Sequence, residues 1–288
     1  MRNEAKRRGS AVTLVSVVGE YAEVFPHMLA HYRALGLGRF SLHAHAPSCG
    51  HPSLRRIAAF ARGAGASIAS VSTGDWIPGN NTALYAAARA DRPNDWYVLA
   101  DQDELQVYPA ALKDVIRYCD RKGYDYIEGC LIDRVAESGE LPAVSRRQSI
   151  WTQFPIGTMM SATVMGAVVN KVVAARGHVW ISTGQHRALS GVGCPPSEIY
   201  VPVHHFKWVD GVTPRLASRA ASVHQRTGLY ARECSRFAAH FSKHGRIPLD
   251  DPMLMSGRCE PDYPYWDVVR QWRIAAPFFS PELAVRER

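Results

Sequence analysis

Near the end of its first third the chain reads Asp95-Trp96-Tyr97-Val98-Leu99-Ala100-Asp101-Gln102-Asp103-Glu104-Leu105. The apolar part, residues 97–100, is short and rich in strand-forming residues, so it is predicted to be a buried strand. Three carboxylates follow, and continued extension would place Asp101 and Asp103 on the same side of the chain. Neighbouring carboxylates repel each other unless a cation neutralises them, and oxygen ligands favour Mg²⁺ or Mn²⁺. The stretch therefore predicts a divalent-cation site at a strand end.

The position of this motif matters, because two acidic residues with this spacing often occur by chance at a polar strand end. Here the motif follows the fourth strand of an alternating strand–helix series, and a further helix comes after it. This context favours a functional site over an ordinary loop.

Length, charge and hydropathy limit the class of protein. The chain has 288 residues and a formal net charge of +8, enough for one large domain or two small ones. Its Lys and Arg residues are dispersed, with the densest run at Lys6-Arg7-Arg8. Without a basic stripe interleaved with aromatics, we expect no nucleic-acid partner and favour a phosphorylated substrate. No apolar run reaches the roughly 18 to 20 residues of a membrane span, so none is expected.

The cysteine pattern predicts a reducing compartment. The six cysteines are scattered, and none forms a Cys-x-x-Cys pair of the kind that holds zinc. Residues 1–10 are basic, and the apolar segment after them is short for a signal peptide. We therefore expect a disordered basic tail at residues 1–10 and a cytoplasmic protein.

Apolar runs and helical periodicity alternate along the first half of the chain. Predicted strands cover residues 12–18, 40–45, 67–72, 97–100 and 126–132. Predicted helices cover residues 24–35, 53–61 (capped by Ser53), 82–90 and 112–119. This alternation predicts an α/β fold with a mainly parallel central sheet flanked by helices.

The second half has weaker periodicity, with a strand-like segment at residues 179–182 and a helical pattern at 214–244. We expect a catalytic domain at residues 11–210 and a helical, Pro- and aromatic-rich C-terminal extension at 211–288. Ligands of α/β folds sit at the carboxyl ends of parallel strands, which places Glu20, His45, Asp75 and the acidic motif at one edge. The chain has no Gly-x-Gly-x-x-Gly and no Gly-Lys-Ser/Thr loop, so any phosphate binding must be assisted by a metal.

Several of these segments together resemble bacterial glycosyltransferases of the family 2 type. The opening Val17-Val18-Gly19-Glu20 followed by Pro26-His27-Met28-Leu29-Ala30-His31-Tyr32-Arg33-Ala34-Leu35-Gly36 is similar to "V-V-K-N-E…L-x-E-W-x-x-Y-H-x-x-L-G". Residues 96–105 resemble "W-x-x-x-x-D-x-D-E-F". In the second strand Ala44 stands where that family commonly has an Asp. The resemblance covers residues 12–110 and continues loosely through Gly184-Gln185-His186-Arg187 and His204-His205-Phe206-Lys207-Trp208.

The resemblance implies a glycosyltransferase A-like fold with a Rossmann-like nucleotide-binding half. It also implies a nucleotide-sugar donor, of which a UDP-sugar is favoured, and Mn²⁺ or Mg²⁺. It implies that Asp103 binds the metal, that Asp101 reaches the ribose or the metal site, and that a late histidine completes the site. The residues with implied roles at the donor or metal are Glu20, Asp75, Asp101, Asp103, Glu104, His204, His205, Lys207 and Trp208. Among these, His205 is the expected ligand with His204 as its alternative, Lys207 would stabilise the leaving group, and Trp208 would stack on a sugar.

The group that deprotonates the acceptor is left open by the sequence. Asp133, Glu137, Asp210 and His186 are candidates, since a carboxylate or imidazole near the donor can act as general base. We expect transfer to a glycan or small natural product, with inversion at the anomeric carbon. Two alternatives stand beside this hypothesis: a phosphotransferase or phosphatase with a strand-end Asp nucleophile, and a non-catalytic protein that binds a sugar or nucleotide.

Overall fold

The computed structural model describes residues 12–221 and 228–259. The predicted tail at residues 1–10 and the end of the predicted C-terminal extension lie outside this range. The strands are β1 (Thr13–Val18), β2 (Arg39–Ala46), β3 (Ile68–Thr73), β4 (Trp96–Leu99), β5 (Glu104–Gln106), β6 (Tyr126–Val135), β7 (Ile156–Thr158), β8 (Asn170–Arg176), β9 (Val201–His205) and β10 (Gly257–Arg258). The helices are α1 (Phe25–Ala34), α2 (Pro52–Gly63), α3 (Pro78–Ala90), α4 (Leu112–Lys122), α5 (Ile150–Gln153), α6 (Val212–Ala221) and α7 (Leu229–His244).

One sheet joins these strands, and the predicted α/β class is confirmed. Strands β3, β2, β1 and β4 lie side by side in that order and run parallel. Beyond β4 the sheet continues through β8, β6, β7 and β10 with antiparallel pairings. Strand β9 is parallel to β6 and antiparallel to β5. The parallel part places the ends of β1, β2 and β4 along one edge.

Helices cover both faces of the parallel strands. Alternate residues of each strand point to opposite faces, and apolar side chains on both faces pack against these helices. On β1, Leu14 and Val18 belong to the large core packed by helices α1, α2 and α4. Val15 and Val17 face the other way and pack with Tyr85 of α3. A separate cluster is formed around Trp208 by helices α6 and α7. The central strands are therefore buried on both faces, which explains their nearly unbroken apolar sequences.

The chain does not stay extended after β4, which corrects the prediction that Asp101 and Asp103 share one side. The amide of Glu104 donates to the carbonyl of Asp101 at 3.1 Å, closing a turn, and strand β5 then pairs with β9. The turn sends the two aspartates in different directions. The short strand β5 has no signal of its own in the sequence, because its register is set by a strand 100 residues later.

Two further local expectations are corrected. Helix α2 begins at Pro52 and is capped by His51, whose ring accepts from the amide of Ser53, so Ser53 is not the cap. The strand-like segment at residues 179–182 makes an isolated bridge between Ile181 and Ala188 and no longer ladder. Within the described residues, no helix has the length and apolar character needed to cross a membrane.

Gly129 on β6 is required by close packing, and this gives a stability prediction. A Cβ at this position would lie inside contact distance of the Val201 carbonyl oxygen and 2.8 Å from Val173 Cγ1. We expect Gly129→Ala to destabilise the fold by about 1–3 kcal/mol or more, since overpacking must move a strand. Gly63→Ala is the control, because a Cβ there meets nothing within 4 Å. It should be neutral or stabilising by up to about 1 kcal/mol. Urea unfolding of both variants measures the difference, and equal stability of the two would contradict the packing argument.

Candidate active site

A cavity of about 750 Å³ opens at the carboxyl ends of the parallel strands. Its wall includes Gly19 after β1, His45 of β2, and residues 101–104 after β4. The opposite side is supplied by β8, by the segment at residues 182–187, and by α6 and α7. This volume is within the range of small-molecule sites, and the position is where ligands bind in open α/β sheets.

At the floor of the cavity, His205 lies between two aspartates. Its Nδ1 is 3.0 Å from Asp133 Oδ1, and its Nε2 is 3.9 Å from Asp103 Oδ2. An ionised carboxylate can only accept, so His205 Nδ1 donates to Asp133 and the neutral ring keeps its lone pair on Nε2. That lone pair is on the Asp103 side, the arrangement by which a carboxylate orients a metal-binding histidine.

Asp133 is held rigidly beneath His205. Its Oδ1 also accepts from Trp208 Nε1 at 2.8 Å and from Ser161 Oγ at 2.7 Å, while Oδ2 accepts from the Ser161 amide at 2.6 Å. The side chain is 1% exposed. Burial raises the pKa of Asp133, but the hydrogen bonds from His205 and Ser161 outweigh it and leave the pKa below its ordinary value. Asp133 therefore stays ionised and fixes the ring of His205.

Strand pairing explains why these residues meet. Strand β9 lies between β5 and β6, with His205 opposite Glu104 on one side and Asp133 on the other. Register partners project to the same face, so the three side chains share the cavity side. His204 consequently points to the other face, where its ring packs edge-on against Trp151. The alternation of a strand thus separates the two adjacent histidines.

Electrostatics keep Asp103 charged. Burial raises the pKa of Asp103, but His205, Arg215 and Lys207 together lower it below its ordinary value. The same contacts act in reverse on the imidazole: burial lowers the pKa of His205, and Asp133 and Asp103 raise it above 6.5. The pair therefore combines a stable carboxylate with an oriented imidazole.

Asp101 and Glu104 form a different cluster around a buried lysine. Lys171 Nζ lies 2.8 Å from Glu104 Oε1 and 3.4 Å from Asp101 Oδ2, and its side chain is 3% exposed. It also donates to the Gly184 carbonyl and to Gln185 Oε1, both at 2.9 Å. Burial lowers the pKa of Lys171, but Asp101 and Glu104 more than compensate and raise it. This lysine pairs with two of the carboxylates that the sequence placed near a metal.

Three cations that line the cavity interact electrostatically with Asp103. Arg215 is 7% exposed, and its Nε is buried without a hydrogen-bond partner in the described residues. Its Nη2 donates to the Lys207 carbonyl at 3.2 Å. Arg219 donates to Tyr230 Oη at 3.0 Å and lies over the Trp76 ring at 4.3 Å. Arg215, Arg219 and Lys207 all line the cavity, so this wall suits an anion.

His186 also lines the cavity, as predicted for a site residue. Its Nδ1 donates to the Asn170 carbonyl at 2.9 Å, which leaves the lone pair on Nε2. Burial, followed by the charge of Lys171, lowers the pKa of His186 to about 4. Gly184, at φ 73°, makes room for it, since a Cβ there would lie 2.6 Å from the ring. His186 is thus a neutral acceptor at physiological pH.

Other predicted residues lie elsewhere. Trp208 is fully buried, donates to Asp133 and packs on Phe237 at 4.6 Å between ring centroids, so it does not lie in the wall that could stack on a sugar. Glu137 is 66% exposed and pairs with Arg258, away from the cavity lining. Glu20 lies next to the lining residue Gly19 and 3.7 Å from the ring of His51. Asp75 likewise is adjacent to a lining residue rather than part of the lining.

The sequence interpretation missed several contributors, namely Gln102, Lys171, Arg215, Arg219 and Tyr85. Gln102 accepts from the Gly19 amide at 2.8 Å and donates to the Tyr21 carbonyl at 2.6 Å, which fastens the β1–α1 loop to the acidic turn. A lysine within the apolar run of β8 was the one available signal, since a buried lysine needs an acidic partner.

The predicted set of Asp101, Asp103 and His205 is not assembled as one metal centre. Asp101 is drawn to Lys171 and Tyr85, while Asp103 and His205 remain together. Across residues 12–221 and 228–259, no three His, Cys, Asp or Glu side chains converge on a point that could hold a metal ion. A metal here would take two protein ligands, with the rest from substrate and water.

Comparison with known proteins gives weak likenesses. No protein-family profile and no curated protein matches the chain. Among solved structures, it is similar to S. aureus TarS 1-349 in complex with UDP-GlcNAc, with 10% identity over 80% of this chain and 72% of that chain and a TM-score of 0.37. A longer S. aureus TarS structure has 9% identity over 81% of this chain and a TM-score of 0.34, and the chain spans 43% of its length. These values are too low to bear on function.

Asp133 gives a prediction about positioning. If Mn²⁺ and a nucleotide bind at Asp103 and His205, Asp133→Asn should raise the Mn²⁺ concentration needed for half-maximal nucleotide binding by roughly 10- to 100-fold, the usual effect of losing the carboxylate behind a metal-binding histidine. Isothermal titration at several Mn²⁺ concentrations measures this. Binding should recover at high Mn²⁺, which a purely structural defect would not permit. An unchanged Mn²⁺ requirement in a folded variant would contradict the role assigned to Asp133.

Proposed function

We propose that the protein is a metal-dependent glycosyltransferase that uses a nucleotide-sugar donor. The observation that carries this proposal is the Asp133–His205–Asp103 series at the floor of a cavity of about 750 Å³. A buried carboxylate fixes one ring nitrogen of His205 and leaves the other beside Asp103. Lys207, Arg215 and Arg219 line the same cavity and suit phosphate, so we assign a hard cation and an anion to this cavity.

The residues present fit Mn²⁺ or Mg²⁺ with Asp103 and His205 as the protein ligands. Mg²⁺ is commonly held by one or two carboxylates plus substrate phosphates, and an imidazole ligand is well tolerated by Mn²⁺. When bound, such an ion neutralises charge that develops on the phosphates of a leaving nucleoside diphosphate. A two-residue site of this kind requires the donor to complete it, which predicts that metal and nucleotide bind together.

The chain's own cations support the same assignment. Arg215 has a buried Nε without a hydrogen-bond partner in the described residues, and such a donor gains most from an anion. Lys207 and Arg219 line the cavity beside it. Preorganised positive groups in a water-poor site stabilise the departing diphosphate without reorganisation. We assign these three side chains to the diphosphate of the donor.

The acceptor side is assigned to His186. Its neutral Nε2 can accept a hydrogen bond from an acceptor hydroxyl and orient it toward the donor. A pKa near 4 makes it a weak proton acceptor, so its first contribution is orientation. Asp133 is committed to His205, Glu137 is committed to Arg258, and Asp210 is not among the residues that line the cavity. This leaves His186 as the predicted candidate in the cavity wall. Inversion at the anomeric carbon remains part of the proposal.

A panel of nucleotides tests the proposal. Thermal unfolding would be followed with UDP, GDP, dTDP and CDP, each with and without Mn²⁺. A ligand that binds the native state raises the midpoint by mass action. We expect one nucleotide, UDP first, to shift the midpoint only when Mn²⁺ is present. If none of the four shifts it in a folded sample, the donor assignment is wrong and the phosphatase and sugar-binding alternatives regain weight.

A further inference from the structure

A second feature lies outside the cavity and has no part in holding a nucleotide. Three of the seven most exposed large apolar residues in the described chain occur within residues 180–192. They are Trp180, Leu189 and Val192, with exposed fractions of 74%, 60% and 56%. We call these three side chains the apolar shelf. A clustered set of this kind marks an interaction surface more often than scattered single residues do.

The apolar shelf is continuous with the cavity wall. The Leu189 amide donates to the Trp180 carbonyl at 2.7 Å, and the Ser182 amide donates to the Arg187 carbonyl at 2.8 Å, so the two segments run antiparallel. The bridge between Ile181 and Ala188 lies between these pairs, and Ile181 packs inward. Side chains alternate along each segment, so the Ile181–Ala188 pair projects to one face and the Trp180–Leu189 and Ser182–Arg187 pairs share the other. That face continues to Ser182 and Arg187, which line the cavity.

The exposure is imposed by the backbone. Both backbone polar groups of Val192 are hydrogen-bonded to Asp125. The Val192 amide donates to Asp125 Oδ2 at 3.0 Å, and the Val192 carbonyl accepts from the Asp125 amide at 2.7 Å. Gly191 at φ 87° makes the turn before it, where a Cβ would lie 3.1 Å from Asp125 Cβ. The Trp180 amide is likewise bonded to Ser190 Oγ at 2.9 Å. The apolar side chains are therefore held outward instead of collapsing onto the core.

The shape of the surface indicates the occupant. Side chains with more than half of their surface exposed form a projecting face, and a small apolar ligand there would remain mostly in water. A lipid bilayer can surround a projecting hairpin, and Trp favours the headgroup level of membranes. Arg187 lies on the same face as Trp180 and Leu189 and supplies a cation there. Arg92, beside the 176–179 turn, is 64% exposed but pairs with Asp95 at 3.7 Å, and the whole chain carries +8. These charges complement anionic headgroups.

We propose that the apolar shelf docks the protein on an anionic membrane surface, so that the cavity faces a lipid-linked acceptor in the bilayer. The membrane contact stands on the apolar shelf itself, and the lipid-linked acceptor rests on the glycosyltransferase function proposed above. In this arrangement the hydroxyl-bearing head of the acceptor enters past Arg187 toward His186. The apolar chain of the acceptor stays in the membrane.

Vesicle sedimentation tests the proposal with the full chain. The probes are phosphatidylcholine vesicles and phosphatidylcholine vesicles with about one-third phosphatidylglycerol, enough to give an anionic surface. The variants are W180S/L189S and the control V71S/M253S, which removes apolar residues that are 56% and 60% exposed elsewhere. We expect binding to the anionic vesicles, a loss on the order of tenfold in W180S/L189S, and no change in the control.

Each other outcome overturns the proposal. Absence of vesicle binding at low salt removes the membrane contact, and equal binding by W180S/L189S assigns any contact to another surface. A concentration-dependent dimer that is lost in W180S/L189S, seen by sedimentation velocity, would make the apolar shelf an interface between copies. The Mn²⁺-dependent nucleotide shift should persist in W180S/L189S, because the apolar shelf does not touch the donor. Failure of the nucleotide panel and failure of membrane docking are therefore read from separate measurements.

Discussion

Asp103→Asn is expected to remove the Mn²⁺-dependent nucleotide shift and to reduce sugar transfer on the order of 1,000-fold. The substitution keeps the size of the side chain and removes the charge that, with His205 Nε2 at 3.9 Å, would bind the cation. A Lewis acid that neutralises phosphate charge lowers the activation free energy by several kcal/mol. Each 1.36 kcal/mol lost slows the reaction about tenfold. Thermal shift with UDP and Mn²⁺, followed by a donor-turnover assay, measures both effects.

The fold should survive this change. Asp103 makes no side-chain hydrogen bond to another described residue, but His205, Arg215 and Lys207 favour its charge. The variant should therefore stay folded, with an unfolding midpoint without ligand somewhat below that of the parent chain. Asp114→Asn is the matched control, since that carboxylate is 50% exposed on α4 and far from the cavity lining. It should keep the nucleotide shift and full activity. If Asp103→Asn retains the Mn²⁺-dependent shift, the metal assignment fails.

Lys171→Met is expected to cause the largest loss of stability among the site variants. The substitution leaves Glu104, 3% exposed, without the ammonium that lies 2.8 Å away. Removing one partner of a buried ion pair typically costs about 3–5 kcal/mol, because the remaining charge is desolvated and unpaired. For a chain of this size that corresponds to roughly 6–20 °C in the unfolding midpoint. Differential scanning calorimetry measures the change.

A second substitution separates the charge effect from lost packing. In K171M/E104Q the unpaired carboxylate is gone, so much of the lost stability should return. Lys113→Met, on the exposed side of α4, should be nearly neutral. If the double variant is no more stable than Lys171→Met, the penalty comes from packing or from the bonds of Lys171 to residues 184–185, and the ion pair is not its cause.

The local sequence predicted the parallel half of the fold well. Strands β1 to β4 and the helices between them lie within a few residues of the predicted ranges. An apolar run bounded by glycine or polar residues indicates a buried strand without information from distant parts of the sequence. The acidic motif was also placed correctly at a strand end on the ligand-binding edge. Those features depend on hydrophobic burial and on the direction of parallel strands, which are local properties.

The sequence does not predict which side chains of the site pair with each other. The sequence predicts Asp133 as a candidate base and Trp208 as a sugar platform, yet Trp208 donates a hydrogen bond to Asp133, 75 residues away and beside His205. Similarly, the acidic motif predicts one metal site, but Lys171, 70 residues from Asp101, forms ion pairs with Asp101 and Glu104. Nothing near these residues in the chain specifies such pairs, because they follow from strand register.

The sequence by itself determined an α/β chain whose fourth strand delivers carboxylates to a ligand-binding edge. Only the tertiary structure decided that Asp101 and Glu104 pair with Lys171, while Asp103 lies beside His205. The reason is the insertion of β9 between β5 and β6, which aligns Glu104, His205 and Asp133 on one face. Backbone hydrogen bonds between distant strands choose that register, and the register then fixes which charges meet.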